Sequence, residues 1–242
     1  MNFKTIILFV GLLTSLSSCI FTEEIYVKND GSGSYSFKMD MSEMMESIDM
    51  SSKDSLKEPQ ALDTIVFFKD LLEEKKDSIK KLSEKEQASL EAIQDLKLHM
   101  QIDEEKGKML LDFGLEFEDM SELKNMQDKI AKAQELNENK DSKLMSKADI
   151  DYSFDGKIFR RNVIMKDLSE EKIQEIEQSI KQSSSFLDGT QYKIIYHFES
   201  EIENISFKDA LISEDRKTLT IEVPMDSVMK NPKWLDFKVK LK

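Results

Sequence analysis

The chain has 242 residues, with 35 Lys and Arg against 48 Asp and Glu and a formal charge of −13. Its only arginines are Arg160, Arg161 and Arg216, which argues against nucleic acid, because binding a polyanion depends on Lys and Arg contacts that release counterions. A single cysteine excludes an intrachain disulfide framework, while three prolines and seven glycines leave no flexible linker, so one continuous domain is expected.

In chain order, Lys4 precedes an unbroken apolar run from Ile6 to Leu13, followed by Leu16-Ser17-Ser18-Cys19. A basic start, a short apolar core and small residues are the marks of a secretory signal peptide. The run is far below the ~20 apolar residues that a transmembrane helix needs. The four residues ending at Cys19 fit the bacterial lipobox, in which the cysteine receives diacylglycerol before cleavage leaves it first in the mature chain. Stable anchoring takes more than one acyl chain, a condition that a di- or triacylated cysteine meets. Cleavage before Cys19 removes only Lys4 among the charges, leaving 34 basic against 48 acidic groups and a formal charge of −14. That charge repels anionic headgroups, so the lipid and not the surface is expected to hold the domain near its membrane.

Residues 19–24 are expected to form a short lipidated tether and residues 25–242 a single domain. Ile25-Tyr26-Val27, the Asn29-Asp30-Gly31-Ser32-Gly33 turn and the alternating Tyr35, Phe37, Met39 and Met41 predict a hairpin. Asp40-Met41-Ser42-Glu43 then offers a helix N-cap. The pattern recurs: Leu96 to Ile102, a turn at 104–108 and Leu111 to Phe117 lead into Asp119-Met120-Ser121-Glu122, expected to open a helix to about Leu136. A third version runs from Ile150 through Asp155-Gly156 to Met165, with Asp167-Leu168-Ser169-Glu170 opening a helix that carries Ile173, Ile176 and Ile180. A fainter fourth spans Leu219 to Met229. Together they suggest a duplicated ββα unit.

Residues 51–90 read as a helical insertion, with Leu62, Ile65, Val66, Leu72, Ile79 and Leu82 on one side, packed across the sheet. A partner-binding arm is the other reading. Gln191 to Phe207 adds strand character, and Leu235, Phe237, Val239 and Leu241 predict a final strand with one apolar face.

Chemistry-bearing groups are sparse. His99 and His197 are expected on polar strand faces, neither with a second ligand at zinc spacing. Asp149, Asp151 and Asp155-Gly156 resemble a calcium loop only superficially, since Arg160 stands where the closing glutamate belongs. Ser121-x-x-Lys124 and Ser169-x-x-Lys172 match the S-x-x-K string of acyltransferases, but Lys217-Thr218-Leu219 lacks the companion glycine, and helix capping explains both serines. Gly31-Ser32-Gly33 is turn chemistry and not a nucleotide loop. No cofactor motif is present.

The lipobox, the strand after it, the Asp30-Gly31-Ser32 turn and the ββα order of residues 149–180 resemble bacterial lipoproteins of the LppM-like and DUF3153 type. The resemblance implies an envelope or surface lipoprotein and brings no catalytic residue. Ile20 after the cysteine resembles outer-membrane sorting, and Thr22-Glu23-Glu24 resembles the acidic export signal of Bacteroidetes surface lipoproteins. Asp54-Ser55-Leu56, Asp63-Thr64-Ile65, Asp77-Ser78-Ile79 and Asp226-Ser227-Val228 match the short O-glycosylation pattern of that phylum.

The expectation is therefore an α+β fold, an antiparallel β-sheet built from repeated ββα units with helices on one side. Its function is expected to be non-enzymatic binding or scaffolding in the envelope, held to the membrane through the lipid on Cys19, with an envelope protein or a glycan as partner. A cell-wall or glycan hydrolase is the alternative.

Overall fold

The computed structural model describes residues 20–42, 61–124, 126, 129–130, 147–182 and 189–242. Two β-sheets face one another. The larger holds eight strands in the order β10-β11-β8-β1-β2-β5-β4-β3, and the smaller four in the order β6-β7-β12-β9. The large-sheet strands are β1 (Ile20–Val27), β2 (Gly33–Asp40), β3 (Ala61–Phe67), β4 (Lys97–Asp103), β5 (Lys108–Phe117), β8 (Gln191–Phe198), β10 (Leu211–Ile212) and β11 (Thr218–Pro224). The small sheet is β6 (Ala148–Phe154), β7 (Ile158–Met165), β9 (Ile202–Ile205) and β12 (Phe237–Leu241). Pairing is antiparallel throughout except between β1 and β8, which run parallel. The chain is thus α+β with large antiparallel sheets and few helices.

Period-2 alternation sends one face of each sheet into a shared core. Ile25, Tyr35, Phe113, Leu115, Ile194, Tyr196 and Leu219 from the large sheet meet Ile150, Tyr152, Phe159, Ile202, Phe237 and Val239 from the small one. Phe159 lies edge-on to Tyr196 and Phe198, with ring centroids 5.1 Å and 5.5 Å away. The predicted hairpins form. Gly31 (φ 88°) and Gly156 (φ 89°) supply the left-handed positions of two of their turns, which a side chain would strain.

Several expectations need correction. The tether does not extend to residue 24: β1 begins at Ile20 and lies between β8 and β2, inside the large sheet. The charged pair Glu23-Glu24 hid an alternation, Phe21-Glu23-Ile25-Val27, that is buried throughout. Within the 51–90 insertion, residues 51–60 lie outside the described residues and 61–67 form the edge strand β3, not a helix. Leu62 and Val66 stand four apart, a spacing that fits both periods, and the β-branched run Thr64-Ile65-Val66 favours the strand. Short helices α1 (Phe68–Glu74), α2 (Lys76–Ile79) and α3 (Glu84–Glu91) follow. The inner face of the large sheet packs on a second sheet, with Phe68 of α1 and Met225 also in the core, because alternation fixes which side of a strand is buried but not what buries it.

The repeated ββα unit is not confirmed. The hairpins β1–β2 and β4–β5 belong to the large sheet and β6–β7 to the small one. After β5 comes a 3₁₀ turn, Met120–Leu123, capped by Asp119 with Glu122 in the reciprocal position. After β7 comes α4 (Glu170–Gln182), where the Ser169 hydroxyl, not Asp167, accepts a hydrogen bond from the Lys172 amide at 3.3 Å. After β11 comes α5 (Met225–Lys230), with no side-chain cap. Residues from Glu43 to Gln60, and residues 125, 127–128 and 131–136 of the segment expected as a helix to Leu136, lie outside the described residues.

Candidate functional site

Two clusters of titratable groups sit on opposite faces of β1. The inward one centres on Glu23, which is fully buried. Its Oε1 accepts hydrogen bonds from the Tyr152 hydroxyl at 2.8 Å, from Arg161 Nε at 3.3 Å and from the Tyr196 hydroxyl. Its Oε2 accepts from the Tyr192 hydroxyl at 2.5 Å and Arg161 Nη2 at 3.2 Å. Arg161 Nη1 donates to the Leu235 carbonyl at 3.0 Å. Burial pushes the Glu23 carboxyl up, but the Arg161 charge and the hydrogen bonds from Arg161, Tyr192 and Tyr196 outweigh it and hold the pKa below the usual value. Burial and the Glu23 charge push Tyr152, Tyr192 and Tyr196 well above the ordinary phenol value. The cluster joins β1 and β8 of one sheet to β6, β7 and the turn before β12 on the other. Both carboxylate oxygens are occupied and no solvent reaches them, so Glu23 is placed to fix the mutual register of the sheets and not to attack a substrate.

The outward cluster follows from the next residue. Glu24, on the solvent face of β1, accepts from Lys38 Nζ of β2 at 2.5 Å and from the Tyr26 hydroxyl at 3.2 Å, and its Oε1 lies 2.9 Å from His197 Nε2 of β8. His197 Nδ1 lies 3.2 Å from Thr218 Oγ1 of β11. The Tyr26 ring stacks on His197, centroids 4.0 Å apart at 9°. Burial raises the Glu24 pKa, and hydrogen bonds from Lys38 and His197 more than offset that, leaving it below its usual value. A hydroxyl, an imidazole and a carboxylate in a row have the make-up of a nucleophile, base and orienter. What is missing is the means to hold an oxyanion, since the surrounding backbone donors are engaged. The Thr218 amide donates to Ser213 Oγ at 2.9 Å, Lys217 to Asp215 Oδ1 at 3.0 Å and Phe198 to the Lys217 carbonyl at 2.9 Å.

Cys19 and its lipobox lie outside the described residues. His99 is on the same outer face, its Nε2 2.7 Å from Asp63 Oδ1, so both histidines point as their strand parity predicted. Asp155 Oδ1 accepts from the amides of Lys157 and Ile158 at 3.0 Å and 2.8 Å, which is turn chemistry and not calcium ligation. Among the described residues no group of three or more His, Cys, Asp or Glu side chains is gathered to hold a metal, and no helix is long and apolar enough to cross a membrane. Thr22-Glu23-Glu24, compared above to an export signal, is strand. Sequence reasoning missed Glu23 and Arg161, although each stands at the inward parity of its strand, Glu23 between Phe21 and Ile25, Arg161 between Phe159 and Val163.

No protein-family model matches the chain, and no curated protein matches it. The folded domain of Mycobacterium tuberculosis LppM, solved by NMR, aligns over 93% of this chain and 89% of that one, at 6% identity and a TM-score of 0.37, a likeness too slight to carry an argument about fold or activity.

Proposed function

We propose that the chain is an envelope lipoprotein, anchored through a lipidated Cys19, that acts by non-enzymatic binding or scaffolding. The observation that supports the non-enzymatic half is the state of Glu23: buried among the described residues, this carboxylate spends both oxygens on Arg161 and three tyrosines, which makes it structural. A general acid or base must be able to reach a substrate proton, and Glu23 cannot. The anchor rests on the lipobox Leu16-Ser17-Ser18-Cys19, and Ile20 at the following position favours the outer membrane. The partner is an envelope protein or a glycan, met on the outer face of the large sheet, where Tyr26 is about half exposed beside Glu24 and Lys38.

The alternative, a cell-wall or glycan hydrolase, is favoured by the Thr218, His197 and Glu24 alignment alone. Incubating the protein with peptidoglycan fragments and with oligosaccharides separates the two readings. Binding without release of products, unchanged in rate from a buffer control, is expected. Product release abolished by His197→Gln or Thr218→Val would make the outer cluster catalytic and overturn the proposal.

A further inference from the structure

Where β1 begins decides which end of the molecule lies nearest the anchor. Cys19 is one peptide bond from Ile20, and consecutive Cα atoms are about 3.8 Å apart, so no slack separates a lipid on Cys19 from the large sheet. The small sheet is aligned with that end through β7. Phe159 packs on Tyr196 and Phe198, which pair with Ile25 and Val27, and two residues later Arg161 reaches Glu23. Continuing along β7 therefore moves toward the start of β1, and the strand finishes at Ile164 and Met165 beside that end. The turn Pro232–Leu235 is held there too, Lys233 Nζ donating to the Val163 carbonyl at 2.8 Å and the Val163 amide to Asp236 Oδ2 at 3.3 Å.

This end carries apolar side chains in the open. Ile164 and Met165 are each 50% exposed and Trp234 is 43% exposed. The lysines around them are matched by acids: Lys166 with Asp149 at 3.0 Å, Lys147 with Glu177 at 2.8 Å, Lys230 with Asp226 at 2.8 Å and Lys233 with Asp236. The repulsion expected from the overall charge is therefore muted here, though Asp167, Glu170 and Glu171 follow Met165 and disfavour a strongly anionic surface. Tryptophan settles at the headgroup level of a bilayer, where its ring is in apolar surroundings and its N–H is wet.

We propose that Ile164, Met165 and Trp234 form the face on which the domain rests against the zwitterionic headgroups of the membrane that holds its anchor. The proposal rests on the lipidated Cys19 of the preceding reading. It gives the domain one orientation, with the Lys28–Ser32 turn of the β1–β2 hairpin pointing away from the bilayer and the outer face of the large sheet standing at its side, open to partners.

Trp234 is the only tryptophan and so a built-in reporter. The lipidated full chain is reconstituted into phosphatidylcholine vesicles, bound protein is isolated by flotation, and tryptophan emission is recorded with and without brominated lipid. The same measurement on Lys28→Trp in a Trp234→Phe background reports the opposite end, at an exposed position. The expected result is a blue shift and loss of Trp234 emission with brominated lipid, little loss from the Lys28→Trp reporter, and a return of Trp234 emission in the double variant Ile164→Glu, Met165→Glu. Flotation with equal quenching of both reporters, or none of either, would overturn the orientation and leave the anchor standing. Failure to float at all would overturn the anchor and the orientation with it.

Discussion

Glu23 is the residue on which the two sheets agree, and the sequence conceals it. Beside Glu24 and close to Cys19 it reads as part of an acidic tether, yet it occupies the inward position of β1. A carboxylate at an apolar parity demands a buried cation, and with only three arginines in the chain the search is short: Arg161 alone stands between two buried strand positions, Phe159 and Val163. Removing one partner of such a pair leaves an uncompensated buried charge, which typically costs about 3–5 kcal/mol. Glu23→Gln should lower the urea midpoint accordingly while keeping the shape of the site. Equal stability of variant and wild type would show that Arg161 finds water or another partner. Acid should act through the same group. The folded-state pKa of Glu23 lies below its ordinary value of 4.5, so its contribution is fully present above that value and is lost as pH falls through the folded pKa. Urea midpoints should therefore fall as the pH drops below about 4.5, with a shallower fall in Glu23→Gln; midpoints that rise on acidification would contradict the depressed pKa.

At the level of elements, the hairpins could be read from the sequence because turn glycines and alternation coincide, as at Gly31 and Gly156. Edge strand β3 could not, since Leu62 and Val66 satisfy two periods and only tertiary pairing with β4 decides between them. The recurring Asp-(Met/Leu)-Ser-Glu string located the start of α4 but left open whether its Asp or its Ser is the cap. Asp119 caps its turn, whereas α4 starts two residues later in the string and Ser169 takes the role. Ser169→Ala should cost about 1 kcal/mol, the usual size of a lost N-cap. Asp167→Ala, which removes no cap, should stay within about 0.5 kcal/mol, as surface substitutions do. Thermal melts of the two variants would reverse in order if Asp167 were the cap after all.

For the whole molecule, alternation showed which side chains face inward but not how strands are divided between sheets, because the partners are remote in sequence: β1 lies beside β8, and β12 between β7 and β9. The terminal strand illustrates the consequence. Its apolar face was evident, and the structure places Phe237–Leu241 inside the small sheet with Phe237, Val239 and Leu241 buried, while Leu235, expected in the strand and also buried, belongs to the 3₁₀ turn before it. Four such side chains are worth roughly 6–12 kcal/mol before entropy, against the ~5–15 kcal/mol total of a typical domain. Truncation after Pro232 should abolish cooperative melting by circular dichroism; a truncated chain melting within a few degrees of full length would place the strand outside the core.

The functional reading depends above all on Cys19, which would tie the start of a strand inside the large sheet to a membrane. Expressing the full chain and its Cys19→Ala variant, then fractionating the envelope, addresses it most directly. A lipid anchor predicts wild-type protein in the membrane fraction and the variant released into the soluble fraction. A variant retained on membranes as fully as wild type would contradict it.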